Sequence, residues 1–479
     1  MAQHGNNFIK FIYRNSPWFL KTVLASYYGF SKSFQKYGKH YNEYYNYLTR
    51  SQWFTTDQLI EMQVKELKRI ITYAGQNVPY YIDVFDKLKL SPDDINSIED
   101  LRKLPILTKE EVRANCERLK SKCYKKKDSV ISHTSGSTGK ALELTLSKES
   151  YKKEQALIWF HRSLGGIKYK DKTATFAGHM VIDVCCKRPP FWVNNLYENQ
   201  IIFSSYHLTE DNLKYYVEKL IRFQPKLIWG YPSSIYLIAA FLEKENITEL
   251  QPKAIFLSSE TLLDYQREKI EKAFNTKVFI LYGNGEMVAR IIECEKGGLH
   301  ILHEYGIIEF LDKNDEPVDY GQIGRMICTG FINYAMPLIR YDIGDVAIPL
   351  NKTCECGRKH LLVEGMIGRL DDYVVTPEGR LLGCLGGTIF EDVKAVQEAQ
   401  IIQKDRNTII LKIVKRLEYS EKDTQKLVSL VQNSVGNGMK IGFEFTDNIP
   451  RLPNGKFKFV ISKVPLQNGG LQQPIQTGN

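Results

Sequence analysis

Between residues 57 and 74 the apolar side chains Leu59, Ile60, Val64, Leu67 and Ile71 recur every three or four positions. That spacing predicts a helix with one apolar face. The surrounding stretch, 1–128, reads as helical and rich in Tyr and Lys, punctuated by Pro79 and the polar run 91–97. Its first 50 residues are amphipathic and suit packing onto a main domain, or else contact with a membrane surface or partner. The period then changes. Residues 141–146 alternate apolar and polar, which predicts a strand. Short apolar runs at 226–229, 254–257 and 278–281 are separated by helical patterns at 233–244 and 262–274. Repeated βα units of this length predict an α/β fold with a mostly parallel sheet, helices on its faces and right-handed crossovers. Beyond about residue 370 the pattern shifts to a strand at 408–415, a helix at 420–435 and a strand at 441–445, a small α+β unit. The end, 466–479, lacks the apolar content to fold and is expected to be disordered.

The ends of the three central strands carry the first chemical signal. They run into Gly230-Tyr231-Pro232, Ser258-Ser259-Glu260 and Tyr282-Gly283-Asn284-Gly285-Glu286. Open parallel sheets bind ligands at the carboxyl edge of their strands. Turn chemistry explains any one of these segments alone, but all three together mark a shared pocket.

Composition narrows the class without naming an activity. With 479 residues, 43% hydrophobic and 25% charged, the chain suits two to three globular domains and excludes a fibrous repeat or polytopic membrane protein. The net charge of +10 is mostly dispersed; five lysines cluster at 120–127. Such a balance suits anionic ligands, and nucleic acid is not expected as a partner. Nine scattered cysteines argue against a disulfide scaffold and for a reducing compartment. Arg14, Asn15, Ser16, Pro17 and Lys21 interrupt the N-terminal apolar stretch, so no signal peptide or membrane span is expected and the location is read as cytoplasmic.

The segment Ser132-His133-Thr134-Ser135-Gly136-Ser137-Thr138-Gly139-Lys140 packs two glycines, a lysine and five hydroxyls into nine residues. Such a loop offers the amides, hydroxyls and cation needed to hold a polyphosphate. Its glycine spacing differs from that of a Walker A loop, and a strand rather than a helix follows it. A plain hairpin turn is the alternative.

This loop resembles the signature loop of the adenylate-forming (ANL) ligases. Tyr282 to Glu286 is similar to their aromatic-Gly-x-x-Glu motif, and Arg340-Tyr341-Asp342-Ile343-Gly344-Asp345 to the segment ending in the ribose-binding aspartate. Gly368-Arg369-Leu370-Asp371-Asp372 resembles the hinge motif, and Pro450-Arg451-Leu452-Pro453-Asn454-Gly455-Lys456 the motif of the catalytic lysine. The helical N-terminus and Ser258-Ser259-Glu260 resemble the phenylacetate–CoA ligase branch; residues 374–380 are similar to CapK-type proteins of capsular polysaccharide clusters.

The resemblance implies a large domain, with 1–128 its helical part and 129–370 its adenylating core, and a small mobile lid at 371–465 that turns about Asp371. It implies ATP and Mg²⁺ as cofactors, and a carboxylate joined to AMP with release of pyrophosphate. Lys456 would neutralise charge between carboxylate and α-phosphate, and Glu286 would hold Mg²⁺. Thr134, Ser135, Gly136, Ser137, Thr138, Gly139 and Lys140 would cradle phosphates. Asp345 would accept the ribose hydroxyls, Arg369 would support ribose or phosphate, and Tyr282 with Gly283 would lie by the adenine. Ser259 and Glu260 belong to the same nucleotide set, while His179 and Tyr231 would border the carboxylate pocket. The acceptor stays open between CoA and an amine, the latter giving an amide-forming enzyme of surface polysaccharide synthesis. The acid itself stays open, as does a homodimer.

Cys354-Glu355-Cys356-Gly357 forms a Cys-x-Cys-Gly turn, with Cys294 upstream and His300 and His303 nearby. Three cysteines and a histidine would complete a closed zinc site, with free thiols the alternative. Gly297-Gly298 favours His300 as the fourth ligand. Some relatives of phenylacetate–CoA ligases resemble this arrangement, which implies a structural Zn²⁺ tying the 290s to the 350s.

Overall fold

A computed structural model describes Tyr13 and residues 16–133, 142–177, 181–183, 186–369, 374–377, 381–382, 393, 395–435, 438–450 and 457–464. Helices α1 (Trp18–Lys36), α2 (Lys39–Ser51), α3 (Thr56–Asn77), α4 (Pro79–Leu88) and α5 (Lys109–Ala114) come first. A hairpin of β1 (Ser129–His133) and β2 (Glu143–Ser147) follows, then α6 (Lys148–Leu164). Next are β3 (Thr173–Phe176), β4 (Trp192–Asn195), β5 (Gln200–Phe203), α7 (Glu210–Phe223), β6 (Leu227–Gly230) and α8 (Pro232–Lys244). Then come β7 (Ala254–Ser258), α9 (Asp264–Phe274), β8 (Val278–Gly283), β9 (Arg290–Glu293) and β10 (Leu299–Ile301). β11 (Gly306–Leu311), β12 (Gly324–Gly330), β13 (Tyr341–Leu350) and β14 (Leu362–Arg369) complete the larger body. The smaller body holds β15 (Val374–Val375), β16 (Leu381–Leu382), β17 (Val396–Asp405), β18 (Thr408–Lys415), α10 (Glu421–Val435), β19 (Lys440–Phe445) and β20 (Val460–Ser462).

The main sheet has twelve strands, ordered β11-β12-β13-β14-β10-β9-β8-β7-β6-β3-β5-β4. The parallel block expected from the βα repeats is β5-β3-β6-β7-β8. It continues into an antiparallel wing from β9 outward, because the segments between β8 and β14 return with no crossover helix. Residues of β7 show why its run is continuously apolar. Ile255 and Leu257 pack beneath α7, α8 and α9, whereas Phe256 points to the opposite face with Trp159 and Phe279. A strand covered on both faces has no polar side to show. The smaller body is a four-stranded sheet, β19-β18-β17-β20, with Ile401, Ile409 and Leu411 packed on Leu427 and Val431 of α10.

Helix α3 begins at a capping box: the Thr55 hydroxyl accepts from the Gln58 amide (3.3 Å) and the Gln58 side chain accepts from the Thr55 amide (3.0 Å). Its buried face is Leu59, Gln63, Leu67, Ile70, Ile71 and Ala74. Ile60, expected on the apolar face, points outward. Gln63 takes an inward place because its side-chain amide donates to the Gly306 carbonyl at 3.0 Å. Among the described residues no helix is long and apolar enough to cross a membrane.

Candidate functional site

The three predicted strand ends lie side by side, since β6, β7 and β8 are consecutive parallel neighbours. Each marks the edge with constrained backbone. A Cβ on Gly230 would meet the Phe176 carbonyl at 2.6 Å, and one on Gly283 would meet the Arg290 guanidinium at 1.9 Å. Ser259 (φ 73°) and Met287 (φ 57°) occupy the left-handed region that side chains ordinarily avoid. Such strain persists where the surroundings enforce it, and it gathers at functional sites.

At the β8 end, the Tyr282 hydroxyl donates to Asp345 Oδ2 at 2.6 Å, joining two motifs 63 positions apart. Burial, and then the Asp345 carboxylate, push the Tyr282 phenol well above its ordinary range, so it stays a donor. Asp345 stands opposite Arg369 in the β13–β14 register, which brings the third motif's backbone alongside. Glu286 is buried and accepts from the Tyr341 hydroxyl at 3.0 Å. Asn284 Oδ1 accepts from the Val288 amide, while its buried Nδ2 has no acceptor among the described residues. A buried donor of that kind calls for a polar partner. The other charged members of the 340–345 motif have structural work: Arg340 is bidentate to Glu309 at 3.0 Å, and Arg325 holds Asp342 at 2.8 Å.

Sequence reading missed what lies beneath this loop. Arg290 donates to the Asn284 carbonyl (3.2 Å), and Glu154 of α6 grips Arg290 at 3.0 and 2.7 Å while accepting from Tyr305 at 2.7 Å. A charged residue within a helix reads as solvent-facing, so Glu154 gave no signal; the bulk of Arg290 against Gly283 could have been sought only through structure.

Tyr231 caps α8 and is buried; burial, then Glu260, raise its phenol. Glu260, placed by resemblance among nucleotide contacts, has both oxygens engaged with main chain. Oε2 accepts from the Ser233 amide at the start of α8 (3.0 Å), and Oε1 from the Phe457 amide of the smaller body (2.8 Å). The carboxylate thereby bridges the two bodies one residue from position 456. A cavity of about 60 Å³ beside it is lined by Ser233, Tyr236, Tyr265, Glu398, Phe457 and Phe459. Lys456, Asp371, His179 and the loop residues Thr134 to Lys140 lie outside the described residues, as does the Arg369 side chain. The described part of the loop is its frame: β1 and β2 pair from Ser129↔Ser147 to His133↔Glu143, as a strand–loop–strand arrangement requires.

The fourth feature is a cysteine–histidine cluster. Cys294, His300, Cys354 and Cys356 bring their ligand atoms within 4.8 Å of one another. Cys294 Sγ lies 3.6 Å from Cys354 Sγ, and Cys356 Sγ lies 3.3 Å from His300 Nε2. Tetrahedral zinc with Zn–S bonds near 2.3 Å separates two sulfurs by about 3.8 Å, so the donor set fits. His300 Nδ1 faces the His360 carbonyl at 3.4 Å, which orients Nε2 toward the cysteines. His303 is outside the cluster. Gly298 lies so close that a Cβ would meet Cys354 Sγ at 2.7 Å, and Gly357 turns at φ 86°.

Residues 375–463 match the family model described as the CapK C-terminal domain. Protein CapK of Staphylococcus aureus is 30% identical over 461 residues, 95% of this chain and 100% of that one. Phenylacetate-coenzyme A ligase of Thermus thermophilus is 24% identical, over 67% of this chain and 72% of that one. Among solved structures, 2-hydroxyisobutyryl-CoA ligase in its postadenylation state superposes with a TM-score of 0.69 at 16% identity, covering 87% and 92% of the two chains. The same enzyme in its thioesterification state superposes at 0.55, with 18% identity and the same coverage. Full-length identity with CapK, a matching C-terminal model and a large sheet joined to a small α/β body converge: the chain belongs to the CapK family.

Proposed function

We propose that this protein is an ATP-dependent, AMP-forming ligase that activates a carboxylic acid as its acyl-adenylate and passes the acyl group to CoA. The observation that carries this reading is the convergence of Tyr282, Asp345 and Glu286 at one strand edge, with Phe457 bound to Glu260 at the same edge. Bound ATP would present its α-phosphorus to the incoming carboxylate, and both are anionic. Lys456, next to the anchored Phe457, is assigned the neutralising role, Asp345 the ribose and Glu286 a Mg²⁺ ion on the phosphates. Tyr282 fixes the orientation of Asp345 through its 2.6 Å hydrogen bond. The glycine–hydroxyl loop between β1 and β2 is assigned the phosphates, His179 and Tyr231 the acid, and Asp371 the hinge between residues 129–370 and the lid 371–465. A structural zinc at Cys294, His300, Cys354 and Cys356 would join the β9–β10 turn to the 350s. None of the seven described cysteines is in a disulfide, which suits a cytoplasmic setting.

Pyrophosphate release from ATP with a panel of carboxylates tests the reading. One acid should give turnover that Lys456→Ala reduces by about 100-fold or more. Full activity in that variant, or no affinity for ATP or an acyl-sulfamate mimic, overturns it. One observation favours a second acceptor: CapK matches 95% of the chain but the phenylacetate ligase only 67%, and the C-terminal model is the CapK one. An amine would then replace CoA, giving an amide in surface polysaccharide synthesis. Offering CoA and amines to the preformed adenylate decides between them.

A further inference from the structure

Helix α1 is packed the wrong way round for a surface helix. Its buried residues are small, namely Thr22, Ala25, Gly29 and Ser33. They lie against edge strand β4, so closely that a Cβ on Gly29 would come within 2.6 Å of the Asn195 side chain. Polar contacts fix the inner face: Trp18 Nε1 donates to the Trp192 carbonyl (2.8 Å), and Ser26 Oγ accepts from the Leu196 amide (3.0 Å). The large side chains point outward. Phe19 is 65% exposed, Val23 57%, Tyr27 68%, Phe30 45% and Phe34 68%. Steps of four, four, three and four residues put all five on one stripe. Leu196, 71% exposed and bonded to Ser26, extends the patch onto the sheet edge. Single exposed hydrophobics are ordinary, but a contiguous stripe marks an interaction surface.

Charge identifies the partner. Residues 1–42 contain Lys10, Arg14, Lys21, Lys32, Lys36 and Lys39 and no Asp or Glu, in a chain of net charge +10. Lys36 pairs with Glu198 and Lys39 with Glu43, yet Lys21 and Lys32 meet no carboxylate among the described residues. Their ammonium groups lie over the rings of Tyr13 (5.8 Å) and Tyr28 (5.6 Å), on the flank away from the stripe. That basic face lies across the helix, about 10–12 Å wide, from the stripe, which is the arrangement of interfacial helices: the apolar face sinks roughly 5–10 Å into the headgroup boundary and leaves the lysines near headgroup level.

We infer that α1 is a peripheral docking face for an anionic lipid bilayer, lying in the interface with Phe19, Val23, Tyr27, Phe30 and Phe34 inserted. At 1.5 Å per residue its 19 residues reach about 28 Å along the surface. Aromatic residues at the water–lipid boundary and basic residues beside them are the two attractions such helices combine.

Vesicle flotation of the full chain tests this. Vesicles of phosphatidylcholine with phosphatidylglycerol should retain it about tenfold better than phosphatidylcholine alone, and added salt should reduce the difference. Phe19→Ser/Tyr27→Ser/Phe34→Ser should abolish retention while leaving the thermal midpoint and circular dichroism unchanged, and Lys21→Gln/Lys32→Gln should weaken it. No retention, equal retention by neutral vesicles, or retention unaffected by the triple substitution overturns the proposal. So does sedimentation of a dimer that the triple substitution dissociates, since a second copy then covers the face. Retention that appears only after removal of residues 2–12 also overturns it, because that segment is then the native occupant.

Discussion

Asp345 illustrates how one side chain's partner decides its availability. The Tyr282 hydroxyl occupies Oδ2 and aims the carboxylate along the strand edge. Hydrogen bonds to a charged group contribute about 1.5–3 kcal/mol, so Asp345→Ala should raise the KM for ATP by roughly 10- to 100-fold. Tyr282→Phe should have a smaller effect, because it removes only the orienting bond; kinetics at varied ATP check both. A KM for ATP unchanged in Asp345→Ala would remove the ribose assignment. His161, by contrast, is a core residue with a pH signature. It lies among Phe256 and Phe279, with Nε2 at 2.9 Å from the Glu293 carbonyl, and burial lowers its pKa from 6.5 to about 3. The folded state keeps it neutral while the unfolded state takes up a proton below about pH 6.5. Stability is therefore full above that value and falls as pH drops toward 3, by at most about 1.4 kcal/mol per unit. Urea unfolding of His161→Gln across that window should show a shallower acid slope than the parent chain; equal slopes would refute the assignment.

At the level of elements, the β9–β10 turn and the 350s loop are short, irregular and without an apolar core of their own. What joins them is polar. Arg358 donates to Glu295 at 2.9 and 3.0 Å and to Gln52 at 3.2 and 2.8 Å, and the three sulfurs and His300 converge beside it. A metal closing such a link stabilises by constraining both segments at once. Elemental analysis should find one zinc per chain, absent in Cys354→Ser. The same substitution should lower the thermal midpoint by about 1 °C for each kcal/mol lost in a chain of this length. An unchanged midpoint and a metal-free parent chain would leave four thiol and imidazole groups in contact for no structural gain.

Across the whole molecule, one carboxylate is hydrogen-bonded to both bodies. Glu260 accepts amides from α8 and from Phe457, and a helix N-terminus favours a negative charge there. The Phe457 amide that Glu260 holds is one residue from Lys456, the lysine proposed for adenylation. Glu260→Gln keeps the shape but leaves one acceptor oxygen where two main-chain amides donate, so one of the two bonds is lost. Pyrophosphate release should fall about tenfold, with acyl transfer from a preformed adenylate changed much less. Equal loss in both half-reactions would mean that Glu260 only supports folding.

The strands β6, β7 and β8 and the elements β18, α10 and β19 were legible because each carries its own period: continuous apolar runs where both faces are covered, alternation or helical spacing where one is. Tyr282, Glu286 and Asp345 stood out through motifs that resemble those of the adenylate-forming ligases, and the structure brings Tyr282 and Asp345 into contact; the cysteines and His300, singled out with the help of a resemblance, lie within 4.8 Å of one another. Nothing local, however, marks Glu154 as the residue beneath the Tyr282 loop, because its partner Arg290 is 136 positions away. Nor could periodicity tell which way α1 faces. Its small and its aromatic residues form two stripes, and only the groove left by Asn195 and Trp192 selected the small one for burial. Sequence by itself determined which segments fold, into what, and which chemical groups they carry. Tertiary structure decided which of those groups meet, since contacts between distant segments depend on packing that no local pattern encodes.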